Sequence, residues 1–177
     1  MNIKTITRLG LLSSLMLLLG IVEKNFPIAP GIPGIKLGLA NSVLLYALCL
    51  MNTKSAWTLS GIKVVLGGIL YSGPIAMMYS ASGTILSMLA MILALKIKDI
   101  GFIGISVCGA VMHMLGQILI SRFILGTWAV LIQVPILLVS AVVTGILTGI
   151  VTQMVCKALV HSMPDSKKRL QDLGLYK

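Results

Sequence analysis

The chain has 177 residues, 58% hydrophobic and 10% charged, with a mean hydropathy of +1.06. A soluble domain carries roughly twice that charge, so a soluble globular fold is excluded, and the length suits one compact membrane-embedded bundle without a second domain. The formal net charge of +10 does not mark a nucleic-acid binder. The basic residues are scattered between apolar runs, the pattern of loop charges that set membrane topology.

Six apolar segments follow one another, each measured against the ~20 residues a helical span needs. In the first, Ile6 to Val22, Lys4 and Arg8 precede the apolar run Leu9 to Leu19 as in a signal peptide. No small-x-small cleavage site follows, so an uncleaved first span is expected. Inside it Gly10 and Ser14 form a small-xxx-small pair. Next comes PGIPGIKLGLAN, Pro30 to Asn41, whose two prolines and three glycines break the helix before Lys36 opens the second segment, Ile35 to Met51. Broken backbone and an ionisable group at membrane depth are tolerated only where protein or a water-filled cavity surrounds them. This stretch therefore reads as the wall or mouth of a site.

The third segment, Ala56 to Leu70, is short and carries Lys63 near its middle, either snorkelling to an interface or facing a site. The fourth runs from Pro74 to Leu95, with Tyr71 and Tyr79 flanking Gly73-Pro74 as an interfacial aromatic belt or as ligand contacts. On the fifth, Gly101 to Ile120, His113 and Gln117 are four residues apart and share a face, for interhelical hydrogen bonding or for a ligand. The sixth, Ala129 to Val160, is long enough that a kink near Pro135 or a projection into the cytosol is expected. Its Ser140, Thr144, Thr148 and Thr152, with Gly145 and Gly149 beside them, suit close packing within the bundle or docking of another membrane subunit.

The expected fold is an all-α integral membrane protein. A single bundle of about six transmembrane helices occupies residues 1–161, and a basic cytoplasmic tail occupies 162–177. With six spans both termini share a side, which holds Lys4, Arg8, Lys54, Lys96, Lys98, Lys157, Lys177 and the Lys167-Lys168-Arg169 run; Lys24, Lys36 and Arg122 fall on the other. This asymmetry places both termini in the cytoplasm of a bacterial plasma membrane. The tail cluster acts as a positive-inside anchor in contact with membrane lipid.

On that topology Glu23, Lys36, Asn41, Tyr71, Tyr79, His113, Gln117, Arg122 and Gln133 project to the outer half of the bundle. Lys36 and Arg122, helped by Lys63 and His113, outweigh Glu23, so the site is expected to take an anionic small molecule. Cys49, Cys108 and Cys156 lie on separate segments without metal-binding spacing and read as small buried residues. No nucleotide-binding loop, zinc-protease motif, nucleophile elbow or aspartate-rich segment occurs, and the chain has only four acids. Catalysis, a bound cofactor and a metal site are therefore not expected.

PGIPGIKLGLAN, LYSGPIAMMYSASGTILSM (Leu70 to Met88), GAVMHMLGQILI (Gly109 to Ile120) and VPILLVSAVVTGILTG (Val134 to Gly149) together resemble one small membrane family. It is labelled Gx transporter, or heptaprenyl diphosphate synthase component I. The resemblance runs from about Leu9 to Ile150, and its most specific parts are Lys36 to Asn41 and His113 to Gln117. Met114 stands where the family often has asparagine, and Lys63 where arginine is expected. The family is similar in size, span count and topology to the substrate-binding S components of energy-coupling factor (ECF) transporters. These six-helix proteins bind a micronutrient outside and dock through the first helix onto a transmembrane coupling subunit driven by two ATPases.

The resemblance implies a substrate-binding subunit of an ATP-driven importer. Lys36, Asn41, Lys63, Tyr79, His113, Gln117, Arg122 and Gln133 would meet the substrate, and Gly10 and Ser14 would meet the coupling subunit. The second label implies a non-catalytic membrane component associated with a polyprenyl diphosphate synthase, and a subunit of a quinone or redox membrane complex is a third possibility.

Overall fold

The computed structural model describes residues 3–25, 38–97, 99–160 and 164–175. The expectations for Pro30 to Lys36 and for Lys98 lie outside them. Among the described residues the chain is all-helical: α1 (Ile3–Asn25), α2 (Leu39–Leu50), α3 (Thr53–Gly67), α4 (Gly73–Ala94), α5 (Gly101–Leu125), α6 (Val134–Val160) and α7 (Pro164–Asp172). Four stretches are long and apolar enough to cross a membrane: Ile3–Asn25, Thr53–Ala94, Gly101–Leu125 and Trp128–Leu159.

Each of the six apolar segments carries a helix, but the boundaries differ for physical reasons. The second helix is only 12 residues long, less than a full crossing. It starts at Leu39 because Gly38, at φ +77°, turns the chain into it. α3 runs straight into a π turn over Gly68–Ser72, and Gly73 at φ +82° then breaks the run before α4. A left-handed residue of that kind is tolerated best as glycine. Near Pro135 the sixth segment changes from a 3-10 turn to the α-helix α6. The proline falls in the first turn of α6, where its missing N–H has no intrahelical partner to lose. A 3-10 turn, Trp128–Gln133, precedes it.

α4, α5 and α6 form an antiparallel sheet of helices held by close backbone approach. A Cβ added at Gly116 would sit 2.7 Å from the Ser82 carbonyl oxygen, and one at Gly149 would sit 2.7 Å from Ile103 Cα. Gly145 meets Val107 Cα in the same way. Thr148 and Thr152 are buried in the bundle, and Thr148 shares a hydrogen bond of 2.8 Å with Ser106 of α5. The small-residue stripe of α6 therefore packs inside this protein and is not an outward docking face. Outward faces are apolar instead, with Leu11, Leu119 and Val139 each more than half exposed, as lipid-facing residues are.

α2 is the core. Eight of its twelve residues are buried, and Leu44, Leu45 and Leu48 anchor a cluster with Met16, Leu59, Met88 and Ile105. An interior helix leaves unsatisfied N–H groups at its start and unsatisfied carbonyls at its end. Here both ends find charged partners from distant elements. The Leu39 N–H donates to the Glu23 carboxylate of α1. At the other end Arg169 of α7 donates through Nε to the Cys49 carbonyl and through a terminal nitrogen to that of Leu48, each at 3.0 Å. An anion at the N-terminus and a cation at the C-terminus also match the helix dipole. Lys167 and Lys168 of the same tail are exposed, whereas Leu170 is buried.

Replacing Arg169 with glutamine removes a charged grip on two buried carbonyls. We expect a loss of about 1–3 kcal/mol, seen as a lower thermal midpoint and faster proteolysis within α7. Lys167→Gln, on the exposed side, should change neither.

Candidate functional site

A partly open cavity of about 600 Å³ lies among α1 to α6, and Gly68, Tyr71 and Ser72 of the π turn form part of its wall. Lining residues on α5 follow the helical period: Ser106, Ala110, His113, Gln117 and Ser121 lie on one stripe. Those on α6 are Leu137, Ala141, Thr144 and Thr148, with Val130 and Gln133 from the turn before it. α1 contributes Gly20, Glu23 and Lys24, α2 contributes Asn41, and α3 contributes Lys63.

Several polar groups in this wall are held by defined contacts. Lys63 Nζ donates to Asn41 Oδ1, so a lysine from α3 and an amide from α2 form one unit. Lys24 Nζ donates to the Tyr71 carbonyl oxygen. The Tyr71 phenol lies directly against Gly20 and Gly67, where any side chain would collide with it. On α5, Gln117 Nε2 and His113 Nε2 are 3.4 Å apart, the long end of hydrogen-bonding range. The His113 ring lies against Gly83 of α4, where an added Cβ would be 2.9 Å from both Cε1 and Nε2. Gly83 thus gives the imidazole its place.

Of the residues expected to meet a substrate, Asn41, Lys63, Tyr79, His113, Gln117 and Gln133 line this cavity. Lys36 lies outside the described residues. Arg122 is not in the lining. Its guanidinium stacks over the Trp128 ring, 4.3 Å from the centroid, and its buried Nε has no hydrogen-bond partner. A cation over indole is a favourable contact, and it turns Arg122 away from the cavity. Gly10 and Ser14 lie on the exposed face of α1, with nothing within 4 Å of where a Gly10 Cβ would stand.

Sequence reasoning missed Lys24, Ser106, Thr144 and Thr148 as lining residues. Ser106 was legible, because it falls seven residues before His113 on the same stripe. Thr144 and Thr148 read from the sequence as packing or docking residues, but the cavity reaches them because its lining extends along α5 and α6. Among the described residues the fixed charges of the lining are Glu23, Lys24 and Lys63, an excess of one positive charge.

Among the described residues this is an all-helical protein built from long apolar helices around a partly open cavity of mixed polar and apolar lining. The sequence profile of the family described as heptaprenyl diphosphate synthase component I matches residues 12–155, and the chain belongs to that family. Comparisons with curated proteins and with solved structures give no significant match.

A Cβ at Gly83 would also stand 2.8 Å from the His113 carbonyl oxygen, so Gly83→Ala should part α4 from α5 and unseat the His113 ring, at a cost of about 1–3 kcal/mol. Modification of His113 by diethyl pyrocarbonate, read by mass spectrometry, should then speed up severalfold. An unchanged rate would mean the ring does not rest on Gly83.

Proposed function

We propose that this chain is the membrane-embedded substrate-binding subunit of an ECF-type, ATP-driven importer. The observation that carries the reading is the convergence of Asn41, Lys63, Tyr79, His113, Gln117 and Gln133, from α2 to α5 and the turn before α6, on one cavity within an apolar bundle. Polar and ionisable groups at membrane depth are costly, and such a cluster marks a ligand site by default. The positive excess of the lining favours an anionic small molecule.

The chain itself is non-catalytic in this reading. It has no nucleotide-binding loop, and Asp99 and Asp172 do not line the cavity with Glu23. A coupling subunit and ATPases supply the energy, and the exposed Gly10 and Ser14 face of α1 offers the small-residue surface through which helices approach closely. The protein spans the bacterial plasma membrane with both termini in the cytoplasm, where most loop lysines and arginines then lie.

The family description favours a second reading, a non-catalytic membrane component paired with a polyprenyl diphosphate synthase subunit. Purification from the native membrane in mild detergent separates the two. The importer reading expects a coupling subunit, ATPases and a retained metabolite. A prenyl synthase without ATPases would replace it with the second.

Gly10→Leu or Ser14→Leu should abolish co-purification of the coupling subunit while leaving ligand retention intact. Unchanged co-purification would remove this face as the docking site.

A further inference from the structure

The corner between α5 and α6 carries a cation that the described part of the chain does not neutralise. Arg122 lies in the last turn of α5, and its guanidinium rests on the Trp128 ring. The four acids of the chain stand elsewhere. Glu23 receives the Leu39 N–H, Asp99 sits just before the opposite end of α5, and Asp165 and Asp172 belong to α7. The dipole of α5 favours a cation at this end, but a guanidinium partly withdrawn from water is ordinarily paired with an anion as well. Of its nitrogens only Nε is both buried and without a hydrogen-bond partner. The terminal pair is therefore left for an acceptor from outside.

The place of the corner says what that acceptor is. Two stretches long enough to cross a membrane meet here, Gly101–Leu125 ending and Trp128–Leu159 beginning. Such a junction lies at a membrane boundary, the depth at which lipid phosphates are found and tryptophan is enriched. Its other outward side chains are large and apolar. Phe123, Trp128 and Ile132 are 79%, 67% and 81% exposed. A dissolved anion gains nothing from that surface, whereas a lipid meets the cation with its head and the apolar side chains with its acyl chains.

We propose that Arg122 and Trp128 bind the head-group phosphate of an anionic phospholipid in the leaflet at this end of the bundle. The planar fork of arginine suits a phosphate, and the indole beneath it holds the fork in one orientation. With no carboxylate opposite Arg122, a head group of net negative charge such as phosphatidylglycerol is favoured. Phosphatidylcholine binds less well, because its own ammonium competes for the phosphate. Arg122 does not line the cavity, so this site is independent of whatever the cavity takes.

The chain has two tryptophans, Trp57 and Trp128, so Trp57→Phe leaves Trp128 as the sole indole fluorophore. The full chain with that substitution is reconstituted in phosphatidylcholine vesicles. These contain rising shares of brominated phosphatidylglycerol or of phosphatidylcholine brominated at the same acyl carbons, since bromine quenches an indole only at close range. Half-maximal quenching of Trp128 should need about fivefold less phosphatidylglycerol than phosphatidylcholine, the preference that one cationic side chain confers near a membrane. Arg122→Gln should bring that ratio to one, and Arg122→Lys should retain most of it. Comparing the two lipids within each variant cancels any effect of the lost stack on Trp128 emission.

Equal quenching by the two lipids before Arg122 is changed would overturn the proposal. A preference that survives Arg122→Gln would do the same. Loss of the preference on adding glycerol phosphate would overturn it too, and would make the corner a site for a free phosphate ester. Quenching by neither lipid would replace the lipid with a second copy of the chain covering this corner.

Discussion

A twelve-residue helix buried at the centre of an apolar bundle has to satisfy the polar groups at both its ends without water, and α2 is such a helix. The protein meets that demand with two charged side chains from far apart in the sequence. Glu23 receives the first N–H, and Arg169 covers carbonyls of the last turn. Much of the remaining architecture depends on those two contacts. The Glu23 contact fixes the end of α1 beside the start of α2, where Asn41 and Lys63 meet. The Arg169 contact draws the tail helix onto the body of the bundle, so a segment rich in lysine is tethered by its one arginine. Arginine suits that role because its planar fork donates in two directions at once.

The cavity follows from a second constraint, the placement of small residues. Where α4, α5 and α6 meet through Gly83, Gly116, Gly145 and Gly149, backbones touch and no space remains. Where α3 passes through the π turn into α4, Lys63, Tyr71, Tyr79 and Ser80 line the cavity among smaller residues. One bundle therefore has a tight seam and an open seam, and His113 stands where the two join, resting on Gly83 while lining the cavity.

Much of this was legible in the sequence, for identifiable reasons. Long apolar runs and sparse charge marked the helices, because hydrocarbon leaves few other structures open to a chain. The polar residues inside those runs pointed to a site because each is costly there, and His113 and Gln117 reached it through simple helical periodicity. Other features were not legible. Arg122 carries the right charge at the right height, but a tryptophan six residues on captures it, a choice made by three-dimensional proximity. Thr144 and Thr148 looked like packing residues and serve that role as well as lining the cavity, since a threonine that satisfies its hydroxyl internally can face either surroundings. The grip of Arg169 on α2 was hidden because nothing local links residues separated by more than a hundred positions.

α1 is gripped unevenly along its length. Its buried residues, Leu9, Ser13 and Met16, all lie in its first two-thirds. Beyond them the helix becomes a wall of the cavity, and there it is held by Tyr71 against Gly20, by Lys24 on the Tyr71 carbonyl and by Glu23 on the Leu39 N–H. Polar contacts of this kind can be exchanged for contacts with water, whereas a packed leucine cannot be released without opening a void. The two parts of α1 are therefore held by different kinds of force, its first two-thirds mainly by packing against the core and its end mainly by polar contacts to the cavity wall.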